Sequence, residues 1–238
     1  MKNLSVYLYD EIVTEKYKNY ETGEMSGFDP NDMASALSEA EEGDTVNLLV
    51  NSPGGSVFAA VTMASEIRRA KDRGVCVNAI VDGIAASAAS FLIMACSNVC
   101  MYDGTMLMVH KPMSFAIGNA DDFIKAAEEL ESIENGTCIP IYKSKLKVDE
   151  EELKALIAKE SWLSAKEAQR IFDLVIVDEH KDVKNVLTSS IVAKYGFRHT
   201  PESLVKAPEA TREPKVTQSV PVDLSEYRER IARLGGAR

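Results

Sequence analysis

The sequence predicts an α/β protein with parallel strands buried beneath helices. Two observations carry this. Short apolar runs such as "DTVNLLVN" (44–51) alternate with helical stretches at βαβ spacing along the chain. The chain, at 238 residues and 45 % hydrophobic, is also long enough to bury a substantial core.

The elements follow in order. "LSVYLYDEI" (4–12) reads as a strand, and "DPNDMASALSEAEEG" (29–43) as a helix that Asp29 or Asn31 can cap. After the strand 44–51, "SPGGS" is a turn, and "VFAAVTMASEIRRAKDRG" (57–74) is a helix closed by Gly74. "VCVNAIVDG" (75–83) is a strand, 87–96 a helix, and "NVCMYDGTMLMVHKP" gives two strands around Asp103-Gly104. A long helix over 119–145 carries Leu130, Ile133 and Ile141 in its apolar stripe. Helices near 149–158 and 164–171 precede a last strand, "LVIVDEH". In such sheets function gathers at the carboxyl ends of the strands. Two turns, 51–56 and 82–87, occupy that place.

Charge divides the chain. The net charge is −10, which argues against a nonspecific grip on nucleic acid. Residues 181–238 hold eleven Lys and Arg against seven Asp and Glu, leaving 16 against 30 in residues 1–180. Four of the eight prolines also fall after 180. This break predicts a core domain, 1–180, and a flexible basic tail, 181–238. Within the tail, "VDLSEYRERIARL" (222–234) spaces Leu224, Tyr227, Ile231 and Leu234 as a short amphipathic helix. Such a helix on a tether reads as a docking peptide; the alternative is an extension that completes the core.

The N-terminal "MKNLSVYLYDEIVTEK" does not read as a signal peptide. The most apolar region, 75–101, is interrupted by Asn78, Asp82, Ser87, Ser90, Ser97 and Asn98, so no membrane span is expected. Cys76, Cys96, Cys100 and Cys138 read as core thiols: Cys96 and Cys100 lack the second pair or nearby His of a metal site.

Three places are candidates for chemistry. Ser87 lies in "DGIAASAAS", flanked by alanines at 85, 86, 88 and 89. Alone it reads as an N-cap serine among closely packed small residues. His110 ends the apolar strand "TMLMVH", where Lys111-Pro112 stops it; a histidine there serves either as a general base or as a structural residue. "NSPGGS" (51–56) can expose backbone N–H groups to an oxyanion, or be an ordinary strand-to-helix turn.

Taken together and in order, "NSPGGSV", "DGIAASAAS", "MVHKP" and "ESWLSAKEA" resemble the proteolytic subunit of the Clp protease (ClpP), over roughly residues 4–180. "VFAAVTMASEI", "GNADDF" and "ESW" resemble the phage branch, the ClpP-related head maturation proteases. The resemblance implies a ClpP/crotonase-type fold of repeated β-β-α units with a protruding handle helix and a C-terminal extension. It implies a serine endopeptidase without metal or cofactor. Ser87 is then the nucleophile and His110 the base, with oxyanion donors at Gly55, or less favourably Gly54, and at Ala88. Glu160 stands where the family has its catalytic Asp, and Asp173 where it usually has a glycine. The groove would be lined by Ser56, Val57, Pro112, Met113 and Ser114, with 111–118 extended against the peptide.

The implied partners are protein substrates, capsid or scaffold proteins in the head-maturation case, and copies of the chain in a ring or stacked rings. The implied setting is host cytoplasm or procapsid interior. An ATPase partner is unsupported, since the chain begins almost at its first strand. Three alternatives remain: an acyl-CoA hydratase of the crotonase fold, an inactive capsid-associated subunit, and a housekeeping Clp subunit serving an ATPase.

Overall fold

The computed structural model describes residues 1–20, 23–180 and 187–206. Strand β1 (Asn3–Leu8) is followed by a small antiparallel hairpin of β2 (Tyr17–Lys18) and β3 (Met25–Ser26). Strand β1 stops short of the expected residue 12, because the chain turns there to bridge Ile12 to Gly55 and Phe28. Helix α1 (Pro30–Ser38) starts on the Asp29 carboxylate, which accepts the N–H groups of Asn31 and Asp32. It ends before the expected Gly43; Glu39, Glu41 and Glu42 would set negative charge against the negative end of the helix dipole.

Next come β4 (Thr45–Ser52), α2 (Val57–Asp72), β5 (Cys76–Ala86) and α3 (Ala88–Leu92). Helix α2 buries Ala60, Met63, Ala64 and Ile67, a stripe at helical spacing. Strands β6 (Asn98–Asp103) and β7 (Met106–Val109) follow. The expected long helix is a run of α4 (Ala120–Ile133), a π-turn (Glu134–Cys138) and α5 (Ile139–Lys143), and α4 buries none of its residues. The chain continues through α6 (Glu150–Ala158), β8 (Ser161–Ser164), α7 (Ala165–Ile171) and β9 (Val175–His180). Strand β8 was not expected: four residues are too few for an alternating pattern to show. Asp173 occupies its turn without positive φ, so glycine is not required there.

The sheet runs β1-β4-β5-β6-β9 with every pair parallel, as the βαβ spacing predicts. Strand β5 is shared. Its first half, Asn78–Val81, pairs with β6; its last residues, Ile84–Ala86, pair in parallel with β7, and β8 lies antiparallel beyond. The polar residues of the apolar region find partners. Asn98, Asn78, Asn47 and Asn3 pass side-chain hydrogen bonds in series across β6, β5, β4 and β1, at 2.9, 3.1 and 2.6 Å. Among the described residues no helix is long and apolar enough to cross a membrane.

Past residue 186 the chain forms β10 (Leu187–Thr188), α8 (Ser189–Lys194) and β11 (Val205–Lys206). Leu187, Phe197 and Leu204 are buried against Ile84, Ala86 and Met108 on β5 and β7, in a cluster apart from the main core. For 187–206 this corrects the expectation of a flexible tether: burial of these side chains fixes the segment on the sheet. Residues 181–186 and 207–238, with the helix expected over 222–234, lie outside the described residues.

Candidate active site

Ser87 follows directly on β5, and its backbone sits at φ 54, ψ −124, a conformation that costs a non-glycine residue energy. The ladder to β7 continues one step further, with the Ser87 N–H donating to the Met108 carbonyl at 3.0 Å. The sharp strand-to-helix turn frees the side chain from the sheet. His110 is the first residue after β7, and its Nε2 lies 2.7 Å from Ser87 Oγ. Ser87 does stand at the N-cap of α3, yet its hydroxyl makes no capping bond. The N-cap reading of this hydroxyl is therefore corrected: it serves the histidine.

The imidazole is half-buried. Burial lowers its pKa below the ordinary 6.5, while the negative charge of Glu160 pulls the other way. At neutral pH it is therefore unprotonated and able to accept the Ser87 proton.

The glycine turn packs onto this elbow. Gly54, at φ +89, comes so close that a Cβ there would stand 2.5 Å from the Ala86 carbonyl oxygen and 2.7 Å from Ser87 Cβ. Gly55, at φ +143, lies against Ile12. The Ile12 N–H donates to Gly54 O at 2.7 Å and the Ser56 N–H to Ile12 O at 2.8 Å. This parallel bridge turns the Gly55 N–H away from Ile12, and it has no partner among the described residues. The Ala88 N–H, first in its helix, likewise has none. Gly54 differs from expectation as a donor, because its N–H goes to Ser52 Oγ at 3.1 Å. Its contribution is the close contact.

A cavity of about 410 Å³ opens beside Ser87 and His110. Val57, Pro112, Met113 and Ser114 line it, whereas the Ser56 hydroxyl accepts the Ala59 N–H and caps α2. Phe115 and the run Ala193–Gly196 also line it. A second cavity, of about 250 Å³, holds the other side of His110, with Glu160, Arg198 and His199 in its wall. Glu160 thus faces the histidine, but its Oε1 accepts the N–H groups of Arg198 and His199 at 2.7 and 2.8 Å. Among the described residues no hydrogen bond joins it to the imidazole. Its φ of 50 is the second strained non-glycine backbone of the described chain. The residues missed from sequence, 193–199, had one visible signal: the aromatic pair Tyr195 and Phe197 in an otherwise polar stretch.

The buried thiols are poor nucleophiles, with burial pushing Cys96 and Cys138 up to about 12. Among the described residues no group of His, Cys, Asp and Glu could hold a metal ion.

The family model described as "Clp protease" matches residues 32–178. The chain is 27 % identical over 135 residues to the ATP-dependent Clp protease proteolytic subunit of Bacteroides thetaiotaomicron, a match covering 56 % of this chain and 60 % of that protein. The match thus spans about three fifths of the curated relative's length. Ser87, His110, Glu160 and the glycine turn lie inside the family span, and residues 187–206 lie past it.

Gly54→Ala would force the glycine turn off the elbow. It should lower the melting temperature by several degrees, measured by thermal unfolding. An unchanged melting temperature would show that the elbow does not rest on this contact.

Proposed function

The chain belongs to the Clp protease family, and on that premise we propose that it is a serine endopeptidase acting through Ser87 and His110. The observation that carries this is the 2.7 Å contact between Ser87 Oγ and His110 Nε2 at the mouth of a cavity. His110 takes the hydroxyl proton as Oγ attacks the scissile carbonyl. The N–H groups of Gly55 and Ala88 meet the oxyanion. The imidazolium gives its proton to the leaving amine, and water activated by the same histidine releases the acyl-enzyme. Glu160 supplies the negative charge that favours the imidazolium. An acyl-CoA hydratase would need neither Ser87 nor His110, and an inactive subunit would need no such alignment.

Residues 110–116 follow β7 without regular structure and leave Met113 and Phe115 exposed beside the cavity. This supports a peptide docked there as an added strand. Helix α4 leaves Phe123 and Ile124 half-exposed near the exposed Ile117, which supports a handle covered by a second copy in a ring assembly. The runs resembling the head maturation branch support scaffold or capsid proteins as substrates.

Four outcomes are expected. A fluorophosphonate probe should label Ser87, with labelling persisting below pH 6.5 and failing as the imidazole protonates. Ser87→Ala and His110→Ala should each remove about 10⁵- to 10⁶-fold in turnover; a tenth of the activity remaining in either would sink the assignment. Glu160→Gln keeps an oxygen for the Arg198 and His199 N–H groups and removes only the charge. Turnover should then fall by up to ~10⁴-fold, whereas an unchanged rate would mean that another group, or none, supports the imidazolium. Sedimentation should show an oligomer at micromolar concentration; a monomer alone would contradict the ring.

A further inference from the structure

Residues 187–206 cover the ends of β5, β7 and β8, beyond the span matched by the family model. Phe197 is buried at the centre of this segment. Its ring meets the His110 imidazole edge to face, with centroids 5.6 Å apart, and meets Trp162 in the same way at 5.8 Å. It also stacks on the Tyr195 ring, with centroids 5.5 Å apart. An acid anchors the chain on each side of Phe197. On one, Glu11 binds Lys194 Nζ at 2.6 Å and accepts the Tyr195 hydroxyl. On the other, Glu160 accepts the Arg198 and His199 N–H groups.

An imidazole held by one hydrogen bond to a rotatable hydroxyl is free to turn about its side-chain torsions. Among the described residues the His110 ring makes no other hydrogen bond than the one to Ser87. What remains to orient it is packing, and the aromatic ring against it is that of Phe197.

We infer that Phe197 is a positioning residue for His110: the segment 187–206 is a strap, anchored at Glu11 and Glu160, that presses an aromatic ring against the imidazole and holds it toward Ser87. This rests on the Ser–His reading above. The strap also seals one side of the imidazole from water, which keeps the ring in its basic form. The charged and titratable groups facing His110 around this seal are Lys111, Lys159, Glu160, Lys194, Arg198 and His199. Of these, Glu160 acts on the imidazole to raise its proton affinity, opposing burial. Opening the seal relieves the burial and leaves Glu160 in place, so the imidazole should protonate at higher pH.

The test is the pH dependence of kcat and kcat/KM for Phe197→Ala and Phe197→Leu in the full chain. The alanine variant should lose ~10²-fold in kcat with KM little changed, and its acid limb should move up toward pH 6.5. The leucine variant keeps the burial but loses the aromatic ring. It should move in the same direction by less, and it decides the question if the alanine variant does not fold. A folded variant with the wild-type kcat and acid limb would overturn the inference. Failure of the Ser–His reading looks different: the wild-type protein itself would then not be labelled by fluorophosphonate.

Discussion

The geometry of the site depends on how one strand is shared. Strand β5 spends its first half on β6 and its last three paired residues on β7, with Ala86 opposite Met108. That register, extended by the Ser87 N–H to Met108 O bond, places the first residue after β7 beside the first residue after β5. Ser87 and His110 therefore meet without any loop having to deliver either of them. A slip of one residue would turn every side chain of β7 to the opposite face and remove the histidine. The small residues around Ser87 serve the same constraint. Ala85, Ala86, Ala88 and Ala89 are fully buried, and Gly54 touches the elbow backbone where a methyl group would not fit.

The electrostatics of the site balance two opposed effects. Burial makes His110 a weaker base, and Glu160 makes it a stronger one. A base that is neutral at working pH but able to hold a proton briefly needs both. Glu160 takes up a strained backbone conformation at the end of α6 and spends one oxygen on the strap. A single carboxylate thereby couples the charge near the histidine to the position of a segment that follows in sequence by almost forty residues.

What the sequence revealed and what it hid divide along a physical line. Ser87, His110 and the glycine turn stood out as candidates because each lies in a turn whose chemistry is local: a strand end, a glycine pair, a hydroxyl among alanines. Each alone also allowed a structural reading, and the roles of these residues and of Ala88 came from the family resemblance. The parallel sheet was legible from the spacing of apolar runs. Strand β8 was not, because its pairing is set by β7 and not by a pattern of its own. Nor were 187–206, whose buried residues Leu187, Phe197 and Leu204 are scattered through a polar, proline-containing stretch. Their partners Ile84 and Met108 lie about a hundred residues earlier, so no local window contains both sides of the contact.

The charge difference between the acidic body and the basic segment after it plays a secondary part in holding the strap. A basic segment can attach to an acidic body electrostatically, and Lys194 on Glu11 is one such pair. A pair of this exposure contributes roughly 0–1 kcal/mol and weakens with salt. Each fully buried Leu or Phe contributes about 1.5–3 kcal/mol, and the strap buries Leu187, Phe197 and Leu204. Apolar burial therefore holds the segment on the sheet, and the charges choose where along the sheet it sits. That division explains why the anchors flank Phe197. Burial alone would leave the ring free to slide over the patch of Ile84, Ala86 and Met108, and directional bonds to Glu11 and Glu160 stop it at His110.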